Sequence, residues 1–460
     1  MSALDYSIIL LFLAALLILG FLRRLKKGSS TAELIVGGRQ LTLPAFVASL
    51  VSTWYGGILG VGEYSYHYGV SNWLVFGVPY YLAAFLFALF LAKRARRTRL
   101  TTIPDRLAAA YDSRTALAGS VIIFLMTVPA AYILMLGVLG QFLFGWPFWV
   151  GILLGTVFSV VYVYHGGFEA VVRTDIIQFA SMFLGFALLL VMLVITRGGW
   201  EFLSTHLPAE TLTWNGGNKP LYIAVWYVIA LATLIEPAFF QRCYAAKTEA
   251  VARNGIFVSI ACWVVFDFLT TACGLYARAV LPDLSDPVAS YPALALKVLP
   301  TGLLGIFALA LLSTVMSTVD SYAFLAATTF GNDVVPRLTR RTIDITRYSR
   351  IGLVVATLMA VGLAVFFRSV VDIWYVFGSI GTPALLIPVF TSFVGSRRMS
   401  PPAAFWSIVV SGLVALVWYV SKMDDSYWLG LQPIFPGLAV SLGFFGLFAR
   451  VKPAPGNLSK

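Results

Sequence analysis

The stretch from Phe46 to Gly69, FVASLVSTWYGGILGVGEYSYHYG, decides how this chain folds. It is apolar enough to cross a bilayer, which takes about 20 residues in a helix. Yet it holds Ser49, Ser52 and Thr53, then Gly56-Gly57, Gly60 and Gly62, then Glu63 and His67. Glycines at this density weaken a helix and let its backbone open. In lipid an open backbone survives only where protein or a water-filled cavity meets its polar groups. Two readings stay open: freed carbonyls that bind a cation, or close helix packing through small residues.

The rest of the chain sets this stretch in context. Of 460 residues 60% are apolar and only 11% charged, and the mean hydropathy is +0.88. A soluble domain carries roughly a quarter charged residues. The apolar runs have helix length, and the ten-residue alternation of outer-membrane barrels is missing. The expected class is an all-α polytopic membrane protein. The net charge of +12 sits in short clusters between spans, as the positive-inside bias produces, so no nucleic-acid partner is implied. Cys243, Cys262 and Cys273 lack metal-ligand spacing and read as small apolar residues.

Thirteen spans are expected, near 5–23, 44–70, 71–95, 114–141, 145–166, 176–197, 220–240, 255–279, 301–330, 348–367, 370–395, 403–421 and 432–449. The first run lacks a basic leader and ends in Arg23, Arg24, Lys26 and Lys27, so it reads as an uncleaved span with the N-terminus outside. Every second connection is then basic: Arg23–Lys27, Lys93–Arg99, Arg173, Arg242–Arg253, Arg337–Arg350, Arg397–Arg398 and Lys452–Lys460. The opposite connections, such as Ser204–Gly217, Pro282–Tyr291 and Asp424–Asp425, are basic-poor. That alternation predicts N-terminus out and C-terminus in. Thr102–Leu107 reads as a short loop helix with proline in its first turn.

Two more spans are unusual. In Leu311–Ser321 the residues Thr314, Ser317, Thr318 and Ser321 fall at i, i+3, i+4 and i+7, one face of a helix. Neutral hydroxyl and carbonyl oxygens suit a hard cation of low charge, whereas the plainer reading is interhelical hydrogen bonding. Asp320 beside them favours function, because an intramembrane carboxylate is costly. In the seventh span Glu236 precedes Pro237, where a proline removes a helix hydrogen bond; Glu236 either marks a break or snorkels to the surface. Trp54, Tyr55, Trp226 and Tyr227 either line a cavity or pack. Glu63 and Asp267 hint at an amine or zwitterionic solute. Spans two and seven stand five positions apart, which suggests two inverted repeats over spans 2–6 (44–197) and 7–11 (220–395).

Four stretches resemble the sodium/solute symporter family, the group of the proline, pantothenate, sialic acid and galactose carriers. They are Gly166–Gln178, Gln241-Arg242 with Ala245–Lys247, Met316–Ser321, and Thr102–Leu107. The resemblance implies a LeuT-type core of five plus five inverted helices. It also implies that the Ser317 and Thr318 hydroxyls and the Thr314 carbonyl bind sodium, with carbonyls of Ala48 and Val51 completing the shell. A second cation site would use Asp175, Asp320 and Ser321. The second span lacks the carboxylate or amide several members show beside the cation. Trp54 and Tyr55 occupy the stretch where sugar carriers show polar residues, which argues against a galactose-like recognition pattern.

The function expected is sodium-coupled symport of a small organic solute by alternating access, in the plasma (inner) membrane. A proton-coupled carrier on the same scaffold, titrating Asp320, Asp175 or Glu63, and a non-transporting solute sensor are the alternatives. No cofactor is expected besides sodium as coupling ion. An enzyme is not, since His67, His165 and His206 form no catalytic grouping. Oligomeric state is left open.

Overall fold

Prolines and small polar residues start the helices of this chain, and glycines and extended residues end them. The computed structural model describes residues 1–21, 30–367, 369–423 and 426–451. Among these residues ten helices are long and apolar enough to cross a membrane, or eleven when a bent pair counts as one span. They are α1 (Ala3–Phe21), the bent pair α2 (Leu43–Trp54) and α3 (Ile58–Tyr68), α4 (Trp73–Thr98) and α5 (Ser113–Phe144). Then come α6 (Phe148–Arg197), α7 (Pro220–Ala245), α8 (Glu249–Val280) and α9 (Leu303–Thr339). The series ends with α10 (Ile345–Phe367), α11 (Val370–Phe393) and α12 (Pro401–Val420). A shorter apolar helix of 15 residues, α13 (Ile434–Phe448), follows outside that count.

Ten or eleven is fewer than thirteen, and the difference has two sources. α6 is 50 residues long, with Gly167 inside it at φ 61° and ψ −154°. Fifty helical residues extend about 75 Å, over twice the hydrocarbon thickness, so the turn at Gly167 divides the run. α13 is apolar but short. Of the basic and acidic connections used for orientation, Arg23–Lys27, Asp424–Asp425 and Lys452–Lys460 lie outside the described residues.

The connection placed at Arg242–Arg253 needs correction. α7 runs on to Ala245, and Arg242 lies inside it with no exposed surface. The chain turns only at 246–248, where the Thr248 side chain accepts the Val251 N–H and starts α8. The short helix predicted at Thr102–Leu107 is present as Ile103–Ala110, with Thr102 accepting the Asp105 N–H and proline in the first turn. The one departure from helix in regular pairing, among the described residues, is a three-residue ribbon, Arg397–Met399 against Ala449–Val451.

Burial sorts the helices into centre and rim. Over its apolar stretch α9 is 83% buried, whereas α1 is 22% buried. Leu11, Phe366 and Leu447 are 72%, 79% and 80% exposed, which suits side chains that face acyl chains. The serine and threonine face of α9 could not sit there, because lipid offers hydroxyls no partner.

Among the described residues, two of the interrupted spans are the bent pair α2–α3 and α7. α2 begins with proline in its first turn and ends with the Tyr55 N–H on the Val51 carbonyl at 3.3 Å. The chain then bends by 59° before α3. A Cβ on Gly56 would lie 1.9 Å from Thr318 Oγ1, so glycine is what lets α9 approach the bend. In α7 the break is at Glu236, which is extended (φ −67°, ψ 116°). Pro237, with no N–H to leave unsatisfied, opens the second half.

Candidate functional site

The hydroxyl face of α9 packs on the carboxyl end of α2, at the bend. Thr314, Ser317, Thr318, Asp320 and Ser321 are fully buried. Ser317 Oγ donates to the Ser52 carbonyl at 2.9 Å, with the Thr314 carbonyl 3.1 Å away. Thr318 Oγ1 donates to the Thr53 carbonyl at 2.7 Å. The carbonyls facing these hydroxyls are thus those of Ser52 and Thr53. The carbonyl of Ala48 accepts the Ser52 hydroxyl at 2.9 Å, and that of Val51 takes the Tyr55 N–H. The sequence locates the hydroxyls and the helix end they meet, but not the carbonyls in front of them.

Asp175 and Ser321 meet a partner the sequence reading left in a loop. Arg242 Nη2 lies 3.5 Å from Asp175 Oδ2, and neither side chain is exposed. Ser49 Oγ donates to the same carboxylate oxygen at 2.6 Å. The guanidinium also donates to the hydroxyls of Ser49 at 3.0 Å, Thr53 at 2.9 Å and Ser321 at 2.7 Å. It therefore ties the second half of α7 to α2, α6 and α9. Asp320 points elsewhere, accepting the Tyr162 hydroxyl. Its sequence signal was Arg242 itself, a basic residue at the end of an apolar run within the Gln241-Arg242 pair.

On the other side of the bend lies a cavity of about 190 Å³. Of the residues the sequence offered for solute binding, Trp54, Tyr55, Trp226 and Asp267 line it, while Glu63 sits on α3 outside it. The sequence reading missed Tyr80, Tyr81, Tyr132, Trp263, Tyr322 and Trp374, because aromatic residues in a membrane bundle carry no mark of which face they present. Glu236 lines the cavity at the α7 break, its Oε1 accepting the Tyr322 hydroxyl at 3.0 Å and the Ala238 N–H at 3.3 Å. Asp267 accepts the hydroxyls of Tyr55 and Tyr81. Thr53, whose carbonyl meets Thr318, is followed directly by Trp54 of the cavity wall.

The basic end of the bundle is tied shut. Arg337 pairs with Asp105 and with Asp333, each at 2.9 Å. Thr102 Oγ1 donates to Asp333 at 2.9 Å, binding the short loop helix to α9.

A bundle with two broken central helices, a hydroxyl–carbonyl seam and an adjoining cavity is the architecture of a secondary transporter. The sequence model of the Sodium:solute symporter family matches residues 34–411. The sodium/pantothenate symporter of Escherichia coli (strain K12) is 26% identical, over 92% of this chain and 90% of that protein. The high-affinity choline transporter 1 of Drosophila melanogaster is 24% identical, over 80% of this chain and 63% of that one. A solved Na+-coupled sialic acid symporter, in a substrate-bound outward-open state, superposes with a TM-score of 0.82 at 17% identity, covering 98% of this chain and 100% of that one. The chain belongs to the sodium:solute symporter family and has its LeuT-type fold. It is a multi-pass plasma-membrane protein that works by sodium-coupled symport.

Proposed function

We propose that sodium binds where α9 meets the bend after α2, held by the Ser317 and Thr318 hydroxyls, the Thr314 carbonyl and carbonyls of α2, and that the solute binds in the neighbouring cavity. The observation that carries this reading is the adjacency of Thr53 and Trp54. One residue faces the hydroxyl seam and the next lines the cavity, so an ion that orders the bend also orders the solute's wall. Ala48 and Val51 are the α2 carbonyls the family resemblance suggests; Ser52 and Thr53 are those the hydroxyls face, and sodium entering the seam would take over these hydroxyl contacts. Coupling is reciprocal, so sodium raises solute affinity by the factor with which solute raises sodium affinity.

In this reading spans 2–6 and 7–11 form two inverted repeats that rock around the site, with Arg337, Asp105 and Asp333 closing the cytoplasmic end until release. The second cation site at Asp175, Asp320 and Ser321 is not part of the proposal. Arg242 already brings a positive charge to Asp175 and Ser321. The named solutes of the relatives differ in charge, pantothenate being an anion and choline a cation, so relatedness alone selects neither.

The test is uptake into proteoliposomes from a panel of labelled amino acids, sugars, carboxylates and amines, with and without a sodium gradient. Ser317→Ala and Thr318→Ala should each raise the sodium needed for half-maximal uptake by about tenfold or more, about 1.4 kcal/mol at the site. Unchanged sodium dependence in both variants removes the cation from α9.

A further inference from the structure

The charges around the solute cavity are of one sign. Glu236 and Asp267 line it, and among the described residues no lysine, arginine or histidine does. Neither carboxylate has an ion-pair partner among the described residues. The nearest candidate, Arg242, lies six residues beyond Glu236 and directs its guanidinium to Asp175, Ser49, Thr53 and Ser321. Carboxylates at membrane depth are costly unless a positive charge answers them. Both oxygens of Asp267 are engaged by tyrosine hydroxyls. Glu236 is different: its Oε1 holds two hydrogen bonds, and no hydrogen bond reaches its Oε2. It also stands at the break in α7, so a change there is transmitted to both halves of the helix.

The remaining wall is aromatic. Trp54, Tyr80 and Trp263 form one cluster, with Trp54 5.8 Å from Tyr80 and 6.1 Å from Trp263 between ring centroids. Tyr132 lies 5.3 Å from Tyr322 and 6.3 Å from Trp374 in a second. The faces of indole and phenol rings attract alkylated ammonium groups, whose charge is spread over carbon-bound hydrogens. Among the described residues the lining offers an anion no cationic side chain. The start of α3, where backbone N–H groups could receive a carboxylate, is covered by the Trp374 indole. A Cβ on Gly57 would lie 1.9 Å from that ring.

We propose that the solute of this symporter is a small organic cation, an alkylated ammonium compound, whose charge pairs with Glu236 while the tryptophans and tyrosines of the cavity enclose its alkyl groups. This rests on the cavity being the solute site of the proposed symport cycle. The Glu236 charge is a specificity determinant: it discriminates a cation from its neutral isostere, which fits the same aromatic walls.

The experiment uses the full-length protein in detergent and in proteoliposomes, with four probes. Choline is the cation, 3,3-dimethylbutan-1-ol its neutral isostere, glycine betaine the zwitterion and pantothenate the anion. Tryptophan fluorescence and labelled uptake are read in sodium and in potassium chloride. Choline should quench the fluorescence in sodium and be taken up, and the neutral isostere should bind about tenfold or more weakly. Glu236→Gln keeps acceptor and shape towards Tyr322 and Ala238, and should remove most of choline's advantage over the isostere. Sodium-induced thermal stabilisation of that variant, retained as in the parent, shows that it is folded and that its cation seam is intact. Failure of choline to bind or compete in sodium overturns the inference, as does equal binding of cation and isostere, or preference for betaine or pantothenate. In those cases sodium stabilisation that is lost in Ser317→Ala keeps the proposed sodium site on α9; its persistence in Ser317→Ala and Thr318→Ala defeats that site separately.

Discussion

The two interrupted spans are broken by different chemistry. At Gly56-Gly57 the chain loses side chains, so another helix can come close: Thr318 reaches the Thr53 carbonyl across 265 residues of sequence. At Glu236-Pro237 the chain loses an N–H and gains a carboxylate, which caps the following half-helix and belongs to a residue that lines the cavity. The first break offers uncharged oxygens that fit a small hard ion. The second offers a carboxyl group among rings. The two breaks differ in what is removed from the backbone and what is added in its stead. Arg242 joins them, standing on the half-helix after the second break and donating to Ser49 and Thr53 before the first.

Removing that link should have the largest effect. Arg242→Met leaves Asp175 buried without its cation, a loss of about 3–5 kcal/mol. It should appear as a large drop in the apparent melting temperature in detergent. Adding Asp175→Asn should restore part of it, since an amide needs no counter-charge; absence of any recovery would mean the guanidinium acts through its hydroxyl contacts alone. Next comes Gly56→Ala, which sets a methyl against Thr318 and costs about 1–3 kcal/mol as overpacking. Sodium-induced stabilisation should vanish in this variant even where the protein purifies folded. A normal sodium response would show that close approach at the first break is dispensable.

Pro237→Ala tests the second break more gently. Without the ring the unfolded chain gains freedom, about 0.4–1 kcal/mol, but the Glu236 carboxylate still caps the half-helix. Uptake should survive with a modestly lower melting temperature, in contrast to Gly56→Ala. The smallest change belongs to an ion pair outside this comparison. Arg97 and Glu249 meet at 2.8 Å with side chains 70% and 37% exposed, and exposed pairs contribute little. Arg97→Ala should leave the melting temperature and uptake where they are, which sets the scale for the buried pair at Arg242.

Much of this site can be read from the chain alone, though unevenly. The hydroxyls of Ser317 and Thr318 repeat at helical spacing, so their shared face is legible. Gly56-Gly57 and Glu236-Pro237 announce interruptions by residue type. Ala48 and Val51 came from resemblance, and the carbonyls actually facing the hydroxyls, those of Ser52 and Thr53, depend on where the bend falls within one turn. Arg242 read as a loop residue because a basic side chain after an apolar run ordinarily meets water or headgroups. Here Asp175, Ser49 and Ser321 from three other helices surround it.

By itself the sequence determined that the chain spans the membrane as helices, where those helices break, and which of their faces are polar. These properties are local, being set by the hydropathy, hydrogen-bonding capacity and backbone freedom of neighbouring residues. Only the tertiary structure decided that the α2 bend meets the α9 hydroxyls, that Arg242 is enclosed with Asp175, and that Glu236 and Asp267 share one aromatic cavity. Those pairings join residues far apart in the chain, and their register follows from how whole helices pack, which no single segment encodes.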